Sequence, residues 1–436
     1  MKFSASLTLT LLTSTILAVE YSSGSGNGDV IDNTKNSPSE TLTLANHAGI
    51  PDNFSLQSRE NRRRSIHLDR APQRSVNPSK GFRRVYNTRR MVNSPHVASL
   101  TAQKPIFVSD TGSITSLTVD NFPILKGLSI RRILLKSRGV REPHWHVNGN
   151  ELAYCLRGQV VVTVFENDSA FSTFTIGAGQ MFYVPSGALH HLENTGEGEA
   201  EFVLALTTEK PEDFGISGAF GAMSDAVLGN TYDLPAKAFK PLNRTTHDTV
   251  IGHRQSIPTI PVDALWDNPH KFDVEAMSAP ISSLAGSAKT ARKKFWPILD
   301  DISMYSLRIT DQGMREPHWH PITAEMGYIA KGHARMTVMN PGGGLDTYLL
   351  KPGDVYFIPR AYPHHIENIG EGDTHFLIFF DQNTPGDIGY KASISGYSRQ
   401  TLAAAFGTNT QKLPKLPFTA HDPLLVQRIN PVDPIE

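Results

Sequence analysis

Cysteine is all but missing from this chain of 436 residues, where Cys155 stands alone. That excludes an internal disulfide framework and any zinc site built on thiolates. An excess of charge is missing too, since Lys plus Arg and Asp plus Glu each number 42. Past the extreme N-terminus no apolar run approaches the roughly 18 residues of a spanning helix, so no membrane span is expected in the mature chain. What is plentiful is Gly (34) and Pro (29), alongside 39% apolar residues. A turn-rich composition of this kind suits a globular all-β chain with many short strands.

Lys2 precedes an uncharged run, Phe3 to Val19, rich in Leu, Thr, Ser and Ala, with the small residue Ala18 near its end. This is the layout of a secretory signal peptide over 1–19, and export is expected. Residues 20–103 read as a polar, Arg-rich tail. Within it, residues 59–90 hold eleven basic residues against Glu60 and Asp69, a local balance of +9 that leaves −9 for the remainder. Aromatics are sparse there (Phe82, Tyr86), so no stacking platform for bases forms and no nucleic-acid partner is expected. The stretch reads as a solvated tail or a strap lying on the acidic body.

Self-similarity organises the rest. Arg-Glu-Pro-His-Trp-His at 141–146 recurs letter for letter at 315–320. Glu151 recurs as Glu325, Gly158 as Gly332, Gly179 as Gly353, Pro185 as Pro359, His190 as His364 and Asn194 as Asn368, always 174 positions on. Two copies of one domain follow, at 104–235 and 270–410, with a Pro-rich linker over 236–269 and a C-terminal tail over 411–436. Strands are expected at Ser129–Leu135, Val160–Phe165, Phe182–Val184 and Glu201–Leu206, and at Ser303–Ile309, Ala334–Met339, Tyr356–Ile358 and Phe376–Phe380. Their spacing indicates a sandwich or jelly roll. Only Met223–Leu228 and Arg399–Phe406 look helical.

Within a strand alternate residues face one way, so His144 and His146 share a side while Trp145 points off it. Glu151, past a tight Val-Asn-Gly-Asn turn, returns to the same cavity, and His190 arrives from a later strand. His318, His320, Glu325 and His364 form the second set. Three imidazoles and a carboxylate without sulfur suit Mn, Fe, Ni or Cu(II), with Zn also possible, and leave two positions of an octahedral ion open to substrate or dioxygen. His191 and His365 have the opposite strand parity and are left out. Cys155 shares the inward parity of Glu151 and reads as a small buried filler.

These residues resemble the cupin superfamily. Its second motif, a glycine, a Pro-x-Gly turn, a histidine and an asparagine at fixed spacing, fits Gly179–Asn194 throughout; the second copy departs once, with Ala361 in place of the turn glycine. The opening glycines, Gly139 and Gly313, stand one residue closer to the first histidine than in the family pattern. The resemblance covers roughly 104–410 and implies two tandem double-stranded β-helix barrels, commonly packed as trimers or hexamers. The Arg-Glu-Pro-His-Trp-His and Ala-Arg-Met-Thr-Val (334–338) segments look most like the oxalate decarboxylase branch. That branch implies one Mn per barrel, with dioxygen required, and cleavage of oxalate to formate and carbon dioxide. It also implies that Arg141 and Arg315 hold the free carboxylate of the substrate, unless each pairs with Glu142 or Glu316.

The branch carries a lid of Ser-Glu-Asn-Ser type with a proton-donating glutamate. This chain has Thr-Glu-Lys-Pro-Glu-Asp-Phe-Gly there (208–215) instead. Asp213 has a twin in Asp387, which suggests a structural turn, so Glu212 is nominated as the acid. Ile378 occupies a place where the branch often has an acid, making the second copy the poorer catalyst. Three readings stay open: decarboxylation, oxidation to carbon dioxide and peroxide, and metal or carboxylate binding without turnover.

Overall fold

The computed structural model describes residues 95–167 and 170–432. The expected signal peptide and the Arg-rich stretch therefore lie outside the described residues. No helix among them is long and apolar enough to cross a membrane.

Each copy folds into two facing antiparallel sheets. In the first barrel one sheet runs, from edge to edge, through Lys271–Phe272, Met181–Val184, Glu151–Arg157, Ala200–Leu206, Ser129–Leu135, Gly112–Leu117 and Phe107–Ser109. Its partner runs through Asp213–Gly215, Gly139–His146, Leu189–Asn194, Gln159–Phe165 and Phe171–Gly177, with Ile251–His253 also paired to Gly139–His146. The second barrel repeats both sheets, with Val97–Ser99, Ile388–Gly389 and Leu425–Gln427 in the three edge places. Expected strands 129–135, 303–309 and 334–339 occur with those bounds. Helices form at Asp225–Thr231 and Arg399–Ala405, each opened by a serine (Ser224, Ser398) whose hydroxyl accepts from a backbone N–H of the first turn. Two further short helices, Ile216–Gly221 and Tyr390–Ser395, precede them.

The segments read as tail and linker carry strands at three points. Val97–Ser99, from the region assigned to the N-terminal tail, pairs with Asp354–Ile358 of the second barrel. Ile251–His253, in the expected linker, pairs with Gly139–Arg141, and Leu425–Gln427, in the expected C-terminal tail, pairs with Gly313–Arg315. Segments this short have too few residues to show periodicity, so composition alone made them look like connections.

The barrels exchange strands. Val97–Ser99 precedes the first barrel in sequence but completes a sheet of the second, while Lys271–Phe272 adds to the first barrel from the start of the second copy. The central strands Ala200–Leu206 and Thr374–Phe380 of the seven-stranded sheets consequently have no wet face. Along Glu151–Arg157, Ala153 and Cys155 join the interior of the first barrel, whereas Leu152 and Tyr154 join a core between the barrels that also holds Val203, Met304, Met326, Leu377 and Phe379. Burial on both faces explains why Ala200–Leu206 and Thr374–Phe380 are buried at every position instead of alternating. Each large apolar side chain taken fully out of water contributes about 1.5–3 kcal/mol.

Candidate metal centre

Strand pleat sets the first two donors of each copy. Along Gly139–His146 the residues Arg141, His144 and His146 are buried, and along Gly313–Trp319 the same holds for Arg315 and His318, with His320 following. His190 pairs directly with His144, and His364 with His318, so the third imidazole is delivered by sheet register. Glu151 and Glu325 each open the strand that follows the turn. The inner atoms of His144, His146, Glu151 and His190 all lie within 4.8 Å of one another, as do those of His318, His320, Glu325 and His364. All eight expected side chains come together as two sets.

The outer ring nitrogens are already committed. Nδ1 of His144, His190, His318 and His364 bonds to the carbonyls of Glu142, Ala188, Glu316 and Tyr362. A ring that donates from Nδ1 turns the Nε2 lone pair inward, which is the tautomer a metal requires. Burial, with Arg141 and Arg315 nearby, holds the pKa of His144 and His318 well below the ordinary value, so both rings stay neutral. For Glu151, burial pushes the pKa up, but His146 and His190 outweigh it and keep the carboxylate ionised. Buried Glu151 Oε1, His190 Nε2 and His364 Nε2 have no hydrogen-bond partner. Converging imidazoles, an ionised carboxylate and orphaned inward lone pairs fit a divalent cation.

The turn before the third histidine also holds the second one. Gly187 N donates to His146 O at 2.9 Å, and Ala361 N donates to His320 O at the same distance. Both residues have positive φ, 80° for Gly187 and 61° for Ala361. An alanine there carries backbone strain that its glycine counterpart avoids.

Asp213 and Asp387 form no simple turn. Asp213 pairs in register with His146, its Oδ1 lies 2.7 Å from His146 Nδ1, and Arg131 Nη1 sits 2.6 Å from its Oδ2. Asp387 Oδ1 lies 2.7 Å from His320 Nδ1, and Arg315 Nη2 lies 2.8 Å from its Oδ2. Asp213 orients His146 by a hydrogen bond, whereas His320 Nδ1 bonds the Gly386 carbonyl at 3.2 Å with Asp387 alongside. The signal of the two aspartates in the sequence was the repeat itself, which made the pair visible without revealing what it touched.

Glu212 is exposed, because it neighbours Asp213 on a strand edge and faces the other way; its backbone, not its carboxylate, ties the segment down, through Val147 N and Asn148. Of the 208–215 segment, Asp213–Gly215 lies in the sheet beside His144–His146. Arg141 and Arg315 do not pair with Glu142 and Glu316. Glu142 accepts backbone N–H bonds from Ser217 and Val250, and Glu316 from Lys391 and Leu424. Both glutamates pin the straps that lie along the ligand strands, while the arginines face Asp213 and Asp387.

The copies differ behind the carboxylate. Tyr356 OH donates to Glu325 Oε1 at 2.6 Å, and Phe182 occupies the matching place in the first barrel. Gly327 makes room for that ring: a Cβ there would lie 2.2 Å from Tyr356 Cζ, and the first barrel has Ala153 instead. A cavity of about 20 Å³ lined by Tyr305, Arg315, His320, Glu325, Ile378 and Asp387 adjoins the second set, room for about one water-sized group.

The Cupin family model matches residues 98–239 and 275–412. An oxalate decarboxylase of Bacillus subtilis is 27% identical over 285 residues, covering 64% of this chain and 73% of that protein. A probable oxalate decarboxylase of Arthroderma benhamiae is 28% identical over 281 residues, covering 62% and 68%. A solved structure of a Bacillus subtilis oxalate decarboxylase variant superposes with a TM-score of 0.68 at 23% identity, covering 76% of this chain and 88% of the other. With the model matching twice, at the two repeats that carry the histidine sets, the chain belongs to the cupin family and has two cupin domains in tandem.

Proposed function

We propose that this protein is a metal-dependent carboxy-lyase of the oxalate decarboxylase type, converting oxalate to formate and carbon dioxide. The observation that carries this reading is a buried guanidinium beside a buried donor set. Arg141 is 4% exposed, its Nε has no hydrogen-bond partner, and it stands on the same strand face as His144 and His146. A bound divalent ion, manganese on this reading and with dioxygen as co-catalyst, would anchor one carboxylate of the substrate and exchange an electron with it. Manganese centres are named for the Bacillus subtilis oxalate decarboxylase.

The chain's own residues supply the rest. Arg141 meets the second carboxylate, where a fixed guanidinium fork in a dry cavity holds charge without reorganising. Asp213 fixes the His146 ring. The apolar interior, including Val162, Phe182 and Leu192, keeps bulk water from the site. As the C–C bond breaks, carbon dioxide leaves, and the electron pair left on the remaining carbon takes a proton to give formate. Asp213 has none to give: burial pushes its pKa up, but His146 and Arg131 outweigh that and keep the carboxyl ionised. The proton comes from another group or from water.

The exposed placement of Glu212 favours a second reading, oxidation of oxalate to carbon dioxide with dioxygen reduced to peroxide, which needs no placed acid. An assay of protein expressed with manganese, measuring formate and peroxide separately, decides. Formate without peroxide supports decarboxylation, peroxide without formate supports oxidation, and neither product from fully loaded protein leaves a binding role. Export through residues 1–19 and assembly as a trimer or hexamer belong to the same proposal, tested by N-terminal sequencing of the secreted chain and by its mass in solution.

A further inference from the structure

The two arginines that precede the histidine motifs are identical in sequence but not in what they touch. Arg315 Nη2 holds Asp387 Oδ2 at 2.8 Å, whereas Arg141 Nη2 stands 3.6 Å from Asp213 Oδ2. The cause lies on a neighbouring strand. Along Ser129–Leu135 the residues Arg131, Ile133 and Leu135 share a face, and the latter two belong to the interior of the first barrel. Arg131 points in with them and is 7% exposed. It takes both oxygens of Asp213, at 2.6 and 3.4 Å. The matching residue 174 positions on is Tyr305, which packs against Phe380 with ring centroids 5.0 Å apart. With a tyrosine in that place, and Arg292 held by its hydroxyl, Arg315 takes the aspartate itself.

Pairing differs accordingly. At the first site Arg131 and Arg141 face Glu151 and Asp213; at the second Arg315 faces Glu325 and Asp387, while Arg292 is held by Tyr305. The aspartate of the first site thus meets two guanidinium groups and that of the second site one. Arg141, which makes only the looser contact to Asp213, keeps a buried nitrogen, Nε, without a hydrogen-bond partner. Around the second site the adjoining cavity admits about one water-sized group.

We infer that Arg131 is a positioning residue that decides which copy takes a dianion: by holding Asp213 it releases Arg141 for a substrate carboxylate, and its charge balances the second negative charge of a small dicarboxylate. This rests on the reading of the protein as an oxalate-type enzyme and deepens it. Arg131 need not touch substrate; it acts through Asp213 and Arg141.

The test is calorimetric titration of Zn(II)-loaded protein with oxalate, malonate and formate, read beside metal content and melting temperature. Wild type is expected to take one dianion per chain. Arg131→Tyr, the residue of the second copy, should weaken dianion binding about tenfold or more while shifting formate less than about twofold. Arg131→Lys, which keeps the charge, should recover most of the loss. In turnover with the native metal the loss should fall on KM more than on kcat. Tyr305→Arg should raise the dianion count towards two. An Arg131→Tyr protein with wild-type metal content and melting temperature that still binds oxalate as wild type does would overturn the inference. If that variant does not fold, an unchanged count in Tyr305→Arg overturns it instead. Wild type that binds malonate but not oxalate would remove the substrate reading and leave this one standing; wild type that binds neither removes both.

Discussion

At the scale of single residues, the site depends on atoms that have nowhere else to bond. Glu151 and Glu325 are buried among imidazoles, so replacing either carboxylate removes the one anion that balances a cation there. Glu151→Gln and His146→Ala are each expected to lower metal content by one ion per chain, measured by elemental analysis, and an unchanged count would refute the ligand set. Ala361 offers a gain. Its φ of 61° suits glycine, so Ala361→Gly is expected to stabilise the protein by about 1 kcal/mol, read as a higher denaturation midpoint. Glu212→Ala should leave turnover within about twofold of wild type, since its carboxylate faces solvent; a collapse in formate yield would restore it as proton donor. The eight ligands were legible from sequence because parity and a 174-residue repeat constrain them twice. The roles of Asp213, Arg131 and Tyr356 were not, because each depends on a contact between strands that no local pattern encodes.

At the scale of elements, two straps complete each ligand strand. Asp213–Gly215 and Ile251–His253 lie along Gly139–His146, and Glu142 joins the chain segments next to them through Ser217 N and Val250 N. Glu142→Ala would leave those buried donors without a charged acceptor, at a cost of about 2–3 kcal/mol. Hydrogen exchange should then speed up across 213–217 and 248–253, with looser metal retention in the first barrel. In the second barrel the strap comes from the C-terminal segment. Leu424 supplies a carbonyl to Arg315 and an N–H to Glu316. Ending the chain after His421 is expected to strip one metal ion per chain and spare the other. The straps escaped the sequence reading because two or three residues bury too little to leave a pattern. The long strands were read correctly but for a partial reason: runs such as Ala200–Leu206 lack alternation because a second barrel covers their outer face.

At the scale of the whole molecule, a polar cluster is set into the contact between barrels. Glu275 accepts from Tyr154 of the first barrel and from Ser306 and Arg308 of the second, while Ser306 also bonds His375. Burial, reinforced by Arg308, holds the His375 pKa down at about 4. For Glu275, burial pushes upward, but Ser306 and Arg308 outweigh it and hold the value at about 2. A histidine kept neutral when folded binds fewer protons than the unfolded chain between pH 6.5 and 4, so stability falls as pH drops through that window. The glutamate adds a further loss from about 4.5 down to 2. Unfolding midpoints should therefore decline below neutrality, and His375→Gln should flatten the upper part of that decline. A slope identical to wild type would show that the histidine does not contribute.

The traded strands also bear on how the chain can be divided. Val97–Ser99 is synthesised before the barrel it joins has been made, and must wait for Asp354–Ile358 to arrive. A gene cut between the repeats would give one half without its Lys271–Phe272 edge and another without Val97–Ser99, each exposing an open sheet margin and half of a greasy wall. Though the molecule arose as a doubled unit, neither half is equipped to live alone.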